Sequence, residues 1–245
     1  MTDRSTILRE MGLTPIWAVR GGAPQVLDGV AEPRRTAPQA IEASVAQIEP
    51  AGVPAPNRDT SIAAMSWEEI VASSANCTAC KLSETRNKTV PGVGDHAPTW
   101  MVIGDAPGEN EDKQGEPFVG KPGQLLDAML AAVGKSRTQG TFVANLIKCH
   151  PPGNRNPGPD EIAACAPYLK RQIALASPKL LLAAGESAAQ TLLNRDDLVT
   201  ALRGAGGHFL GIPVVVTYHP SELLRSPLEK AKAWDDLVKA RALVA

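Results

Sequence analysis

The sequence lacks any run approaching the roughly 20 apolar residues that a membrane-spanning helix requires. Its first residues include Asp3, Arg4, Arg9 and Glu10 and no apolar core typical of a secretory signal, so we expect a cytoplasmic protein without membrane contact. An excess of basic residues is also missing, because 25 Lys and Arg face 26 Asp and Glu. Any binding to nucleic acid must therefore use a local patch, loops or helix ends.

Cysteine is scarce, and the four cysteines present form one pattern with none left over. Cys77 and Cys80 make a C-x2-C pair, and Cys149 and Cys165 follow much later in the chain. Four thiolates, two of them on one tight turn, suit a tetrahedral metal ion or an iron–sulfur cluster. The wide gap is unlike a compact zinc ribbon. The spacing favours a metal centre without naming the metal, and ordinary buried thiols or a structural zinc site are the alternatives.

The composition of the chain changes near residue 66. Residues 21–64 are rich in Gly, Ala and Pro and show no sustained apolar period, which is typical of a flexible linker. Before them, residues 6–20 combine apolar and basic side chains as a docking peptide does, although a tail that packs on its own domain is the alternative. We therefore expect a largely disordered extension over residues 1–65 and one folded domain over residues 66–245.

From residue 66 onwards, short apolar strands alternate with helical patterns. Ser66 and Glu69 form a capping box that predicts the start of a helix. Strands are predicted at residues 99–103, 142–147, 180–184 and 212–217. Later helices are predicted at residues 122–133, 159–175 and 227–243, and another helix follows the third strand and ends near residue 193. This alternation predicts a three-layer αβα domain with a central, mostly parallel four-stranded sheet. Ligands bind such folds at the carboxyl ends of the strands, where every unusual motif of this chain lies.

The first motif covers residues 104–123 and is rich in glycine and proline, which lets the backbone approach a ligand closely. Its spacing fits neither a Walker loop nor a dinucleotide-binding fingerprint. Asp105 directly follows the first strand, where a carboxylate can position water, and capping of its own loop is the alternative. Phe118 lies among polar residues and is either part of a small satellite core or a stacking platform.

The second and third motifs, residues 145–157 and 217–225, follow the second and fourth strands. Asn145 offers a donor and an acceptor side by side and can read an amide-like base edge, whereas a lone Asn at such a position is more often a turn former. His219 can stabilise a developing anion, and a purely structural histidine is the alternative.

Together these motifs resemble the iron–sulfur uracil-DNA glycosylases, called family 4, over about residues 70–243. The matching segments are G-D-A-P-G and G-E-P-F-V-G near the first strand, N-L-I-K-C-H-P-P-G-N-R near the second and H-P-S-E-L-L-R near the last, with all four cysteines in register. The resemblance implies hydrolysis of the N-glycosidic bond of deoxyuridine in single- or double-stranded DNA, with release of free uracil. It also implies a [4Fe–4S] cluster bound by Cys77, Cys80, Cys149 and Cys165.

The resemblance further implies a role for each residue at the strand ends. Asp105 would hold the attacking water or stabilise the sugar cation, although the family usually has Glu at this position. Asn145 would pair with N3–H and O4 of uracil, and His219 would donate a hydrogen bond to O2 as charge develops there. The other implied contacts with the base are Ala106, Gly108, Glu111 and Phe118. The implied contacts with DNA, where Leu223 or Leu224 fills the space left by the flipped nucleotide, are Pro220, Ser221, Leu223, Leu224 and Arg225.

Two other functions are compatible with parts of the sequence. One is a relative that traps the abasic sugar covalently, but that group resembles G-E-Q-P-G in the first motif and carries an extra basic loop that is missing before Arg203. The other is a non-catalytic DNA-binding or replisome adaptor with a drifted active site, for which Asp105 is the only support. Residues 7–20 loosely resemble the tail of the psi subunit of the bacterial replicative clamp loader, which implies a contact with that machinery. We expect the protein to be a monomer.

Overall fold

The computed structural model describes residues 57–244. The predicted docking peptide at residues 7–20 and most of the predicted linker lie outside the described residues. No helix in the described part of the chain is long and apolar enough to cross a membrane.

Within residues 57–244, six strands form a single mixed sheet. They are β1 (Val93–Gly94), β2 (Trp100–Gly104), β3 (Thr141–Asn145), β4 (Leu180–Ala184), β5 (Gly207–Phe209) and β6 (Ile212–Thr217). Their spatial order is β1-β3-β2-β4-β6-β5. The four central strands are parallel and the two short edge strands are antiparallel to their neighbours. The predicted mostly parallel four-stranded centre is confirmed, and β1 and β5 extend it on either side.

Helices cover both faces of this sheet in the described region. They are α1 (Arg58–Ala63), α2 (Trp67–Ala75), α3 (Glu109–Gln114), α4 (Gly120–Ala132), α5 (Pro159–Ala176), α6 (Glu186–Leu193), α7 (Val199–Ala205), α8 (Pro220–Arg225) and α9 (Lys230–Leu243). Single 3-10 turns lie at Lys81–Glu84, Pro152–Asn154 and Pro227–Glu229. The α1, α3, α7 and α8 helices were not predicted, because each is too short to show a helical period.

Local sequence signals explain where the longer helices begin. The backbone N–H of Glu69 donates to Ser66 Oγ at 3.3 Å, and the Ser66 N–H donates to Glu69 Oε2 at 2.7 Å, which confirms the predicted capping box of α2. Pro159 occupies the first turn of α5, where its missing N–H leaves no hydrogen bond unmade. The last helix begins at Lys230 rather than at residue 227, because a 3-10 turn precedes it.

The folded domain extends further towards the N-terminus than the predicted boundary at residue 66. Ile62 of α1 is buried in a small cluster with Ile70 and Tyr168, and Arg58 Nη2 donates to the carbonyl of Ala164 in α5 at 2.8 Å. The predicted linker therefore reaches too far, since its last residues form α1. A single buried isoleucine among polar neighbours gives no periodic signal from which this helix could be predicted.

The sheet register brings the ends of the central strands to one edge. Gly104 pairs with Asn145 on one side and with Ala184 on the other, and Ala184 pairs with Thr217. The segments that follow β2, β3, β4 and β6 therefore begin side by side. These segments carry Asp105, the second motif, Glu186 and His219.

Candidate active site and cysteine cavity

A cavity of about 590 Å³ opens at the carboxyl edge of the sheet. A volume of this size is typical of a small-molecule site. Nine of the predicted site residues line it, namely Asp105, Ala106, Gly108, Glu111, Phe118, Asn145, His219, Ser221 and Arg225. The cavity therefore brings together residues from all three motifs, which are far apart in the sequence.

Asn145 ends β3 and presents its side chain to this cavity. It is 2% exposed, and its Oδ1 atom has no hydrogen-bond partner among the described residues. A buried amide oxygen without a partner costs on the order of 1–3 kcal/mol. This cost is removed if a ligand donates a hydrogen bond to Oδ1, so the site is suited to a ligand with an N–H group.

Gly104, the last residue of β2, leaves the space that Asn145 and Phe118 occupy. A Cβ atom at Gly104 would lie 2.5 Å from Phe118 Cζ and closer still to Asn145 Oδ1. Any larger residue at this strand end would displace one or both side chains. The glycine after the first predicted strand is therefore required by packing within the site.

Phe118 occupies the wall of the cavity in a left-handed backbone conformation, with φ of 52°. Its ring lies 5.2 Å from the His219 ring at an interplanar angle of 24°. Arg137 holds the preceding loop in place, since its guanidinium donates to the carbonyls of Pro117 and Phe118 at 2.7 and 2.6 Å. Phe118 thus packs in the hydrophobic core and also lines the cavity, and its role as a stacking platform stays a prediction.

His219 is the N-cap of α8, and its surroundings determine its tautomer. The backbone N–H of Ser221 donates to His219 Nδ1 at 3.2 Å, and the Ser221 hydroxyl lies 2.7 Å from the same atom. Nδ1 is therefore an acceptor, which places the ring proton on Nε2. Burial, together with the smaller effect of the positive charge of Arg225, lowers the pKa of His219 to about 4. The ring is consequently a neutral hydrogen-bond donor at physiological pH.

Asp105 directly follows β2 and is held at the start of α6. The backbone N–H of Ala188 donates to Asp105 Oδ1 at 2.7 Å. Burial raises the pKa of Asp105 to about 7; the Ala188 N–H opposes this rise, while the nearby carboxylates of Glu186 and Glu222 add to it. Gly185, with φ of 126°, permits this approach, because a Cβ atom there would lie 2.5 Å from Asp105 Oδ2.

Glu111 braces the wall of the cavity. Its Oε2 atom accepts from the Gly108 N–H at 3.1 Å and its Oε1 atom accepts from the Val119 N–H at 2.9 Å. Both carboxylate oxygens thus accept hydrogen bonds from backbone N–H groups, one before α3 and one after it. Glu111 fixes the distance between these two parts of the first motif.

The structure corrects one predicted DNA contact. Leu223 is 1% exposed and belongs to the hydrophobic core, whereas Leu224 is 39% exposed. Because α8 is a helix, consecutive residues point about 100° apart, so the two leucines cannot both face outwards. Of the two predicted alternatives for insertion into DNA, the buried Leu223 is ruled out and Leu224 remains the candidate. Pro220 is also buried and does not line the cavity.

Sequence reasoning missed several residues at the site. Glu186 and Glu222 line the same cavity as Asp105. Glu186 stands just after β4, as Asp105 stands just after β2, so its position at a strand end was a usable signal.

The four cysteines line a second, smaller cavity together with Arg86, Lys148 and Tyr168. All four thiols are free of disulfide bonds. Arg86 Nη1 lies 3.4 Å from Cys149 Sγ, and Arg58 Nη2 lies 3.7 Å from Cys77 Sγ. Within residues 57–244, no group of three His, Cys, Asp or Glu side chains is arranged to hold one metal ion. The four thiols nevertheless line one cavity beside cationic side chains, a donor set of the kind that an iron–sulfur cluster uses.

Burial opposes ionisation of these thiols in the absence of such a group. Burial raises the pKa of Cys165 to about 11, and the charge of Lys148 opposes the rise. Burial raises the pKa of Cys149 as well, against the hydrogen bond from Arg86. Because metal ligation requires the thiolate form, binding of a metal group and release of these protons are coupled.

The fold and the first cavity define a class of DNA-repair protein. Residues 91–238 match the Uracil DNA glycosylase superfamily. A type-4 uracil-DNA glycosylase of Sulfurisphaera tokodaii is 38% identical over 187 residues, which cover 73% of this chain and 84% of the relative.

Two further relatives point to the same subgroup. The type-4 uracil-DNA glycosylase of Archaeoglobus fulgidus is 36% identical and is matched over 71% of this chain and 91% of its own length. The enzyme of that name from Thermotoga maritima is 37% identical, with 69% and 89% covered. The chain belongs to the type-4 uracil-DNA glycosylase family, as the motifs indicated.

Proposed function

We propose that this protein hydrolyses the N-glycosidic bond of deoxyuridine in DNA, which releases free uracil and leaves an abasic site for base excision repair. The observation that carries this proposal is the joint placement of Asn145, His219 and Asp105 around one cavity at the sheet edge. The cavity offers an unpartnered amide, a neutral imidazole donor and a carboxylate. These are the groups that the reaction needs for base recognition, leaving-group stabilisation and water positioning.

Base recognition rests on Asn145. Its Oδ1 atom can accept a hydrogen bond from uracil N3–H, and its Nδ2 group can donate one to uracil O4. Cytosine presents an acceptor at N3 and a donor at C4, so its pairing with the same amide would leave buried polar groups unsatisfied. A site of this kind discriminates strongly between the two bases.

Cleavage leaves negative charge on the departing base and positive charge on the sugar. The neutral His219 donates from Nε2 to uracil O2 as the negative charge grows, and backbone N–H groups of residues 106–108 add donors. The ionised Asp105 stabilises the sugar cation or orients the attacking water. Phe118 stacks on the uracil ring, and its own contact with His219 keeps both rings in place.

The target nucleotide must leave the duplex to reach this cavity, at a cost of a few kcal/mol. The exposed Leu224 is placed on α8, whose residues Ser221 and Arg225 line the cavity, and it can fill the vacated space in the DNA. Single-stranded DNA avoids most of this cost.

Release of free uracil from a uracil-containing oligonucleotide tests the proposed function. Wild-type protein should release uracil and leave an alkali-sensitive site at that position, with no release of cytosine or thymine from matched oligonucleotides. Binding of the oligonucleotide without any release of uracil would support the non-catalytic adaptor instead.

Gly104→Ala is expected to impair catalysis without unfolding the protein. The added Cβ must displace Phe118 or Asn145, and misplacement of reacting groups by about 1 Å can reduce a rate by around 10²-fold. Single-turnover uracil release and thermal unfolding measure the two effects. Gly204→Ala is the matched control, because a Cβ there meets nothing within 4 Å and should leave the rate unchanged. An unaltered rate in Gly104→Ala would contradict the proposed placement of Asn145 and Phe118.

We further propose that Cys77, Cys80, Cys149 and Cys165 hold a [4Fe–4S] cluster. When bound, the cluster cross-links segments that are distant in sequence. It joins the C-x2-C turn after α2 to the loop after β3 and to α5, which carries Cys165. The second motif, which includes Asn145, leads directly into this loop. The cluster therefore supports the fold next to the active site.

Cys149→Ala and Cys165→Ala are each expected to abolish the brown colour and much of the solubility, because cluster binding contributes folding free energy. The visible absorbance of the iron–sulfur cluster and the number of iron atoms per protein molecule check this result. His150→Ala, a change next to Cys149 that removes no thiol, should retain full iron content. Stoichiometric zinc without iron after anaerobic purification would contradict the cluster.

The N-terminal extension is proposed to recruit the enzyme to the replication clamp loader through residues 7–20. Tethering raises the local concentration of the enzyme at its partner without altering the catalytic site. Deletion of residues 1–52 should therefore leave uracil release from naked oligonucleotides unchanged and abolish pull-down of clamp-loader subunits. Deletion through residue 64 should in addition destabilise the domain, because it removes Ile62 from its cluster with Ile70 and Tyr168. Loss of activity on naked DNA in the shorter deletion would contradict recruitment.

Monomeric state and cytoplasmic location remain predictions from the sequence.

A further inference from the structure

Lys148 is a buried lysine that lines the cysteine cavity and contacts a residue of the active-site cavity. It is 1% exposed, lines the cysteine cavity and has no contact with solvent that would hydrate its ammonium group. Its Nζ atom donates to the backbone carbonyl of Asn145 at 2.7 Å. One side chain thus links the thiol groups to the residue that we propose reads the base.

Among the described residues, the acidic groups that line the cysteine cavity with Lys148 include the thiols of Cys149 and Cys165 and no carboxylate. A buried ammonium needs a counter-charge, and four thiolates around an iron–sulfur cluster supply a net negative one. Lys148 is therefore best satisfied when the cluster is present.

The hydrogen bond from Lys148 fixes a backbone group that the sheet does not hold. The N–H of Leu146 donates to Gly104 O at 2.9 Å. The pairing of β2 with β3 ends at this peptide, which joins Asn145 to Leu146. The Asn145 carbonyl at the same peptide is held by Lys148 Nζ. The orientation of this peptide sets the direction in which the Asn145 side chain enters the active-site cavity.

We propose that Lys148 is a positioning residue that couples the cysteine-bound cluster to uracil recognition by Asn145. On one side it compensates the thiolate charge, and on the other it fixes the backbone from which the base-reading amide projects. This inference rests on the proposed glycosylase function and cluster, and it assigns the coupling between them to one side chain.

The test compares Lys148→Met with Arg86→Met. Arg86 is the matched control, because it contacts Cys149 Sγ and the Cys77 carbonyl and does not line the active-site cavity. Two quantities are measured in holoenzyme. The first is the reduction potential of the cluster. The second is the Kd for single-stranded DNA that carries one 2′-fluoro-deoxycytidine, divided by the Kd for the same DNA with 2′-fluoro-deoxyuridine at that position. The fluorine slows cleavage, so binding is measured without turnover.

Both variants should lower the reduction potential, because each removes a positive charge beside the cluster. Only Lys148→Met should also reduce discrimination between the two bases, by about tenfold, the effect of losing one hydrogen bond that orients a binding group. Arg86→Met should keep the wild-type ratio. Unchanged discrimination in Lys148→Met, or an equal loss in both variants, would overturn the coupling.

If Lys148→Met does not fold, Lys148→Gln takes its place with the same two expectations. If neither variant folds, the wild-type protein supplies the test, because coupling between two sites is reciprocal. Binding of the fluoro-deoxyuridine oligonucleotide should then shift the reduction potential of the cluster more than binding of the fluoro-deoxycytidine oligonucleotide does. Equal potentials in the two complexes would overturn the proposal. Wild-type protein that binds iron but releases no uracil would instead contradict the proposed function.

Discussion

Replacement of His219 by alanine is expected to slow single-turnover uracil release by about 10²–10³-fold, the usual effect of removing one donor to a developing anion. The pKa of His219 is lowered to about 4, so the ring is neutral and donates from Nε2 at physiological pH. Binding of the slowly cleaved fluoro-deoxyuridine oligonucleotide should change little, because the donor acts on charge that appears in the transition state. Rapid-quench measurement of the uracil released checks the rate.

Ser221→Ala is the control for this effect. It removes the hydroxyl 2.7 Å from His219 Nδ1 but keeps the backbone N–H that determines the tautomer, so a loss much smaller than that of His219→Ala is expected. Cleavage at the wild-type rate by His219→Ala would remove the histidine from the mechanism.

Asp105→Asn is expected to slow cleavage by about 10²–10⁴-fold, the usual contribution of a positioned acid–base group. In the wild type, the pKa of Asp105 is raised to about 7, so the rate should rise as pH increases through about 7 and then level off as the carboxylate ionises. Rates measured between pH 5 and 9 at constant ionic strength check the profile. A profile that is flat across this range would show that ionised Asp105 is not required.

Two neighbouring carboxylates provide an independent check on this assignment. Glu186→Gln and Glu222→Gln each remove a negative charge that helps to raise the pKa of Asp105, so each should move the rise in rate to lower pH. Asp105→Glu should remain active, because Glu is the usual residue of the family at this position. An inactive Asp105→Glu would indicate that the site, including the close approach of Gly185, has adapted to the shorter acid.

The same pKa implies a dependence of stability on pH. Because the pKa of Asp105 is raised in the folded protein, its contribution to stability is fully present below the pKa of an unfolded aspartate, falls as pH rises above that value and is fully lost once pH has passed about 7. The pH at which Asp105 becomes catalytically competent is therefore the pH at which this loss of stability is complete. This relation is expected of a reactive group kept in a dry site.

The sequence by itself determined the class of fold and which residues are brought together in the proposed catalytic set. Alternation of apolar strands with helices predicted the parallel centre of the sheet, and parallel strands necessarily end at one edge. For this reason Asp105, Asn145 and His219, each just after a strand, could be expected to meet. The four cysteines were likewise recognisable, because a C-x2-C pair with no thiol left over is a chemical pattern that needs no knowledge of packing.

Only the tertiary structure decided how each side chain is directed and which charges face each other. It turned Leu223 into the core and left Leu224 exposed, since two adjacent residues of an undetected helix share no face. It joined α1 to the domain through Ile62 and occupied both oxygens of Glu111 with backbone N–H groups. It also buried Lys148 between the cysteines and Asn145. Such contacts join residues distant in sequence, and a local pattern carries no information about them because burial and pairing depend on the packed chain as a whole.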